Sequence, residues 1–436
     1  MHRGKQSALA KRADGVHSRP MHAPHPPPPA ETAFAALSER RLVLMMAALM
    51  SLQALGIDSM LPALGMIAGD LGAGGNQRQL VIGAYLLGSG FGALAPGVLA
   101  DRFGRRPVLM GAIAIYIAFS LACALVTDFA LLVALRFGQA FLSAGLSVLP
   151  PAIIRDRVGG DRMARMMSLI MVVFMVVPVL APFLGQGVLL VAGWRWIFVM
   201  MAGLALIVGW AIWRWLPESL HAEDRQPIAL APIAHNLKAA FLRRDAIGYV
   251  IGSSLVFGAL FGFLNSAQQL VSETFGAGPY FPLIFGAAAA CMALSNFFNS
   301  RIVERFGARR VSHAALLAFI AVSVVQVIAA NSGEEKLWQF LPLMATNMAL
   351  LGFVGANFSS IAMQPFQHIA GSASSAQSFL RMVTSAVVGG AIGQAFDGTA
   401  RPLAAALLIC GLASLSLVLF SENGRLFRRL HPRGTG

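Results

Sequence analysis

Residues 97–107 read GVLADRFGRRP, a charged knot between two long apolar runs. A weaker copy lies 203 positions later, where Asp101-Arg102-Phe103-Gly104 recurs as Glu304-Arg305-Phe306-Gly307, again followed by basic residues, Arg309 and Arg310. An acid-Arg-Phe-Gly turn at matching places in two halves of an apolar chain points to an internally duplicated membrane transporter. Gly104 permits a sharp reversal that a side chain would hinder, and the basic residues hold the loop on one side of the bilayer.

Outward from this loop, the composition agrees. The 436 residues are 57% hydrophobic and only 12% charged, whereas soluble domains carry about 25% charged residues. The net charge of +14 does not indicate nucleic-acid binding, because the basic residues cluster at the ends of apolar runs and form no stripe. Cys123, Cys291 and Cys410 all lie inside apolar runs without metal-like spacing; free thiols and no disulfide are expected. No metal-spaced His/Cys set, Ser-His-acid cluster or Walker motif occurs. The chain therefore reads as neither an enzyme nor an ATP-driven pump, with no cofactor. His221, His235, His313 and His368 read as solvated loop or helix-end residues.

A bilayer core requires about 20 apolar residues per helix. Twelve such runs can be drawn: 42–66, 79–100, 108–126, 129–154, 163–191, 194–216, 246–271, 280–303, 311–330, 337–363, 374–397 and 402–420. The polar, proline-containing break 217–245 divides them six and six. The expectation is an all-α membrane protein with 12 transmembrane helices in two pseudo-symmetric six-helix bundles. The bundles cover 39–216 and 246–421, with a disordered cytoplasmic tail at 1–38, a cytoplasmic linker at 217–245 and a short C-terminal tail at 422–436. Of the 33 Lys and Arg residues, all but six collect on the side of the termini and central break: Arg78, Arg195, Lys336 and Arg401 mark the other side, and Arg136 and Arg381 fall deep within spans. That asymmetry predicts cytoplasmic termini.

Asp58 is the one acid deep inside an apolar run. A charge at the bilayer centre costs at least about 2.5–3.5 kcal/mol and marks a functional site by default. Asp58 lies near the far end of span 1 and Arg136 near the start of span 4, so at 1.5 Å rise per residue both sit roughly 10–12 Å below the outer surface. They are expected to face each other, either as a proton and substrate site or as a structural ion pair. Arg381 is placed seven residues into span 11, within snorkelling range of the cytoplasm or at an inner gate. Gln53, Tyr85, Gln139, Phe261, Asn265, Gln268 and Asn357 are candidates for a central cavity or for interhelical glue. Glycines 83, 88, 90, 92 and 97 give span 2 a small-residue packing face. Pro178, Pro182 and Gly185 share one stretch of span 5, where prolines bend a helix.

The segment GVLADRFGRRP, carrying Gly97, Asp101, Arg102, Gly104, Arg105 and Arg106, resembles the loop signature of the major facilitator superfamily. GIDSMLPALGMIAGDLG (56–72), ALRFGQAFLSAG around Arg136, VPVLAPFLGQGVL (177–189), GWRWIF (193–198) and QPFQHIAGSASS (364–375) resemble segments of its Bcr/CflA drug:proton antiporters. Met60 stands where those usually carry Tyr, and Gln186 where a second Gly often follows Gly185. The resemblance implies a monomeric transporter of the bacterial inner membrane that exports small, fairly hydrophobic drugs or metabolites against protons, powered by the proton motive force. Asp58 would carry the proton, Arg136 would tune it, the Pro178 to Gly185 stretch would be the antiporter motif, and the Asp101 loop would latch the cytoplasmic side against the N-terminus of helix 11 near Ser374. A proton-linked metabolite transporter and a non-transporting sensor or scaffold on the same fold are the competing readings.

Overall fold

The computed structural model describes residues 37–220, 223, 225, 244–333 and 335–427, and these are helices and the turns between them. The proposed disordered tail and most of the linker lie outside the described residues. The first half comprises α1 (Glu39–Asp58), α2 (Leu64–Asp70), α3 (Leu80–Gly92), α4 (Pro96–Phe103), α5 (Arg105–Leu125), α6 (Phe129–Leu142), α7 (Gly145–Arg157), α8 (Gly160–Val191) and α9 (Arg195–Trp215). The second comprises α10 (Arg244–Gln269), α11 (Phe281–Phe306), α12 (Ala308–Asn331), α13 (Leu337–Met363), α14 (Ala370–Gln394) and α15 (Arg401–Ser421).

Several predicted spans are broken, each for a local reason. Pro62 has no N–H to donate to the Asp58 carbonyl, so α1 ends at Asp58 and the chain continues through a turn and a 3-10 segment, Leu61–Ala63, into α2. Span 2 bends by 45° ahead of Pro96, between α3 and α4. α8 runs as one 32-residue helix that includes Pro178 and Pro182. Among the described residues, ten segments are long and apolar enough to cross a membrane, and the bent pair makes an eleventh. The remaining predicted span is α14, 25 residues long.

Within the first half α3 packs on α6, α5 on α9 and α1 on α8; within the second α10 packs on α14 and α15, and α13 on α11 and α12. Two seams join the halves, α3 with α14 and α8 with α11. Glycines make these contacts close. A Cβ on Gly88 would lie 2.2 Å from the Phe137 carbonyl oxygen and one on Gly92 2.3 Å from that of Phe141, while Gly90 faces Met382 and Val383 across the seam. Helices in lipid gain little from burying apolar surface, so such backbone approach carries much of their association. The duplicated turn is explicit in the backbone, with Gly104 at φ +100° and Gly307 at φ +87°. Cys123 and Cys410 are buried and Cys291 is partly buried, all as free thiols.

Gly88→Ala should lower the melting temperature of the purified protein, because overpacking at a backbone contact costs about 1–3 kcal/mol. Gly83→Ala, whose Cβ would meet nothing within 4 Å, should leave it unchanged.

Candidate functional site

Asp58 is the last residue of α1, only 5% exposed. It makes no hydrogen bond or ion pair among the described residues. The following Ser59 turns its hydroxyl back to the Leu55 carbonyl (2.5 Å). The Ser59 carbonyl oxygen faces Gly185 of α8, where a Cβ would come within 1.9 Å of it and 3.2 Å of the Pro62 ring. The Pro178 to Gly185 stretch of α8 thus packs on the break that follows Asp58, and a side chain at 185 would prevent that approach.

Arg136 is fully buried on α6 and, among the described residues, forms no ion pair with Asp58, so the expected pair is not made. Its guanidinium donates to the Gly56 carbonyl and to Gln139 Oε1 (2.6 Å), and lies 4.1 Å from the Tyr85 ring centroid. The expected depth holds, since Gly56 is two residues from Asp58; the rotation about the helix does not. Tyr85 donates to Gln53 Oε1 (3.0 Å), Gln53 to the Ser143 carbonyl (2.9 Å), Gln139 to Ser120 Oγ (2.7 Å) and Tyr116 to the Leu52 carbonyl (2.7 Å). Three of the candidate cavity residues, Gln53, Tyr85 and Gln139, are therefore engaged in one network tying α1, α3, α5 and α6. Tyr116, Ser120 and Ser143 escaped the sequence reading; their only signal was a hydroxyl in an apolar span.

At the face carrying the termini, Asp101 pairs with Arg105 (2.6 Å), which also binds Asp156 (3.0 Å). Glu218 accepts the Arg105 and Arg106 backbone N–H groups (2.8 and 3.1 Å), and Arg106 donates to the Trp213 carbonyl (2.6 Å). Gly97 and Arg102 lie along α4. The contacts of the Asp101 loop among described residues remain within the first half; α14 begins at Ala370 rather than Ser374, and the side chains of its first turns lie outside the described residues. In the second half Glu422 takes the equivalent part, binding Arg309 (2.7 Å). His313 is buried there, not solvated: its Nε2 lies 2.9 Å from the Tyr249 hydroxyl and its Nδ1 accepts the Phe427 N–H (3.0 Å). His221, His235 and the His368 side chain lie outside the described residues.

The opposite face holds contacts the sequence did not reveal. Hydrogen bonds and ion pairs between described residues of the two halves fall here. Arg78 pairs with Glu273 (2.5 Å) and reaches Gln268 (3.4 Å). Asn76 donates to the Gln394 and Phe396 carbonyls (2.9 and 2.8 Å), and Gln394 donates back to the Asn76 carbonyl (2.9 Å). Gln268 thus belongs to an end latch. Complementary charges at the ends of spans in different halves, Arg78 and Glu273, were the available signal.

In the second half Asn357 exchanges hydrogen bonds with Asn299 (2.8 and 3.4 Å), and Asn265 is buried beside Gly393 with neither amide atom bonded. Phe261 lies against Gly389 of α14. Arg381 is the twelfth residue of α14, about 16 Å along it at 1.5 Å per residue.

The model of the Major Facilitator Superfamily matches residues 45–389. A bicyclomycin resistance protein homolog of Haemophilus influenzae is 27% identical over 90% of this chain and 98% of its own length. The multidrug resistance protein MdtL of Escherichia coli O6:K15:H31 is 29% identical over 88% of this chain and 96% of its own. Among solved structures, a D-xylose-proton symporter superposes with a TM-score of 0.68 at 15% identity, over 88% of this chain and 99% of that one. The human organic anion transporter MFSD10 superposes at 0.62 with 18% identity, over 88% of this chain and all of that one; at such identities the likeness concerns the fold. With the duplicated turn, the helix order and the family match over most of its length, this chain is a multi-pass membrane transporter belonging to the Major Facilitator Superfamily.

Proposed function

We propose that the chain is a proton-coupled multidrug exporter of the bacterial inner membrane, acting as a monomer with both termini cytoplasmic and no cofactor. The observation that carries this reading is Asp58. It is a buried carboxyl at a break in a membrane helix, with no cation in ion-pair contact among the described residues, and the Gly185 stretch of α8 packs on the next residue, Ser59. An isolated carboxylate in a dry site is costly, and binding a proton removes that cost. The relatives named for bicyclomycin and multidrug resistance support drugs as the cargo.

Alternating access follows from the two ends. With the latch at the face opposite the termini closed, Asp58 communicates with the cytoplasm. Opening that latch requires Arg78 to leave Glu273 and Asn76 to leave Gln394. The Asp101 loop then closes the terminal face, while Arg136 holds the Gly56 carbonyl and keeps the α1 break in place. Drug entering beside Asp58 displaces its proton, and a proton returning from outside displaces drug. The membrane potential supplies about 2.3 kcal/mol per charge per 100 mV to this exchange.

In detergent, binding of a transported drug should release protons from the wild type, and Asp58→Asn should abolish the release and reduce efflux to background. Release that persists in the variant would move the proton site elsewhere. Asp101→Asn should slow efflux several-fold with normal membrane insertion; unchanged efflux would remove the loop from gating. The Glu273 side chain is half exposed, so its pair with Arg78 contributes up to about 1 kcal/mol. Glu273→Gln should therefore raise alkylation of a cysteine introduced at Gly65, beneath Arg78 and Gln268, by up to about fivefold once the native cysteines are replaced. An unchanged rate would show that the pair does not hold the latch.

A further inference from the structure

Arg381 is a cation midway along α14 with no ion-pair partner among the described residues. α14 lies between α3, where Gly90 meets Met382 and Val383, and α10, where Val388 meets Gly258 and Ser385 reaches the Ser254 carbonyl. Arg381 therefore belongs to the central helix seam, not to the lipid boundary. Its guanidinium carbon lies 4.8 Å from the Phe257 ring centroid, and Phe257 in turn packs on Gly355 of α13. An aromatic ring takes the face of a guanidinium but leaves the N–H donors, which lie in its plane. Arg381 makes no hydrogen bond or ion pair among the described residues, and its Nε is buried without an acceptor. One helical turn earlier Gln377 is 8% exposed, and its amide nitrogen is likewise buried without an acceptor.

Two orphaned donors, four residues apart, occupy one face of α14. Buried donors are rarely left unpaired, and those that are call for a partner absent from the protein itself. Among the described residues of the second half no carboxylate is in ion-pair contact with Arg381: Glu273, Glu304, Glu335, Asp397 and Glu422 sit at helix ends or in loops, and Asp245 lies at the start of α10.

We propose that Arg381 and Gln377 form the recognition site for an anionic headgroup, a carboxylate, on an aromatic compound carried by this protein, with Phe257 bracing the guanidinium. This deepens the export reading and rests on it for the direction of transport. It also makes energetic sense of that direction, since an inside-negative potential drives an anion outward.

The test uses the full chain in nanodiscs at neutral pH. Equilibrium binding of naphthoate, phenylbutyrate and nalidixate is compared with that of their methyl esters. In the wild type at least one acid should bind about tenfold or more tightly than its ester, as expected for a charge-assisted contact. Arg381→Gln should remove that preference, Arg381→Lys should restore part of it, and Gln377→Ala should weaken it several-fold. Ester affinity should stay constant throughout, which reports an intact fold. Acids and esters binding alike, or a preference that survives Arg381→Gln, would overturn the site. The same compounds followed for proton release separate the two proposals. An Arg381-dependent acid preference without proton release by any compound keeps the anion site and removes proton exchange. Release by acids and esters alike, with no preference, does the reverse.

Discussion

Hydrocarbon offers no hydrogen bonds, so a backbone break inside a membrane helix must be covered by protein. The break after Asp58 is where this chain meets that constraint. Pro62 removes one donor, the Ser59 hydroxyl turns back to Leu55, and α8 presents the bare backbone of Gly185 to the exposed Ser59 carbonyl. On the other side Arg136 takes the Gly56 carbonyl, while the Tyr85 ring lies under its guanidinium. Residues 56–62 are thus gripped from two sides, and the carboxyl between the grips is free of any fixed cation. Had Arg136 paired with Asp58, desolvating the pair would have been offset by their attraction, and the proton would have been the weaker partner.

The contacts between the halves are graded from rigid to reversible. Along the two seams, glycines at 90 and 286 let apolar side chains of the other half approach closely. These surfaces carry no hydrogen bonds among described residues and can slide or rock without leaving orphaned groups. At the end opposite the termini the contacts are polar and partly exposed, so water replaces them when they part. A transporter needs both kinds. Strong directional bonds at mid-membrane would trap one state, and purely apolar ends would leave neither state defined.

What was legible in the sequence follows from what the physics makes local. The duplicated turn, its glycines at positive φ and the alternation of basic residues depend on a few neighbouring positions, and they led to the fold. The depth of Arg136 was legible because rise per residue is constant, but its azimuth was not, because rotation is set by packing partners such as Tyr85 and Gln139. The start of α14 was set four residues late because the 3-10 stretch Gln364–Ile369 leads straight into a helix from Ala370. The latch opposite the termini was invisible because Asn76 and Gln394, or Arg78 and Glu273, are distant in sequence and join two bundles. His313 was misread because a residue at a helix start is exposed until another segment, here the one carrying Phe427, covers it.

The duplication also shows where the halves have parted. The offset of 203 that relates the two turns sets Phe261 against Asp58 and Pro178 against Arg381. Each intramembrane charge has an uncharged counterpart in the other half. The scaffold features behave differently: Gly104 and Gly307 share one backbone conformation, and Glu218 and Glu422 both hold the start of the helix that follows the turn. Geometry that both halves need has been kept in duplicate, since rocking about a common axis requires matched bundles. Charge has not, because a carboxyl facing its own copy would raise the cost of burying either. In the exchange proposed here, an acid in one half and a guanidinium in the other would hold a proton and a cargo headgroup, and the asymmetry would give each half its own ligand to release as the bundles move.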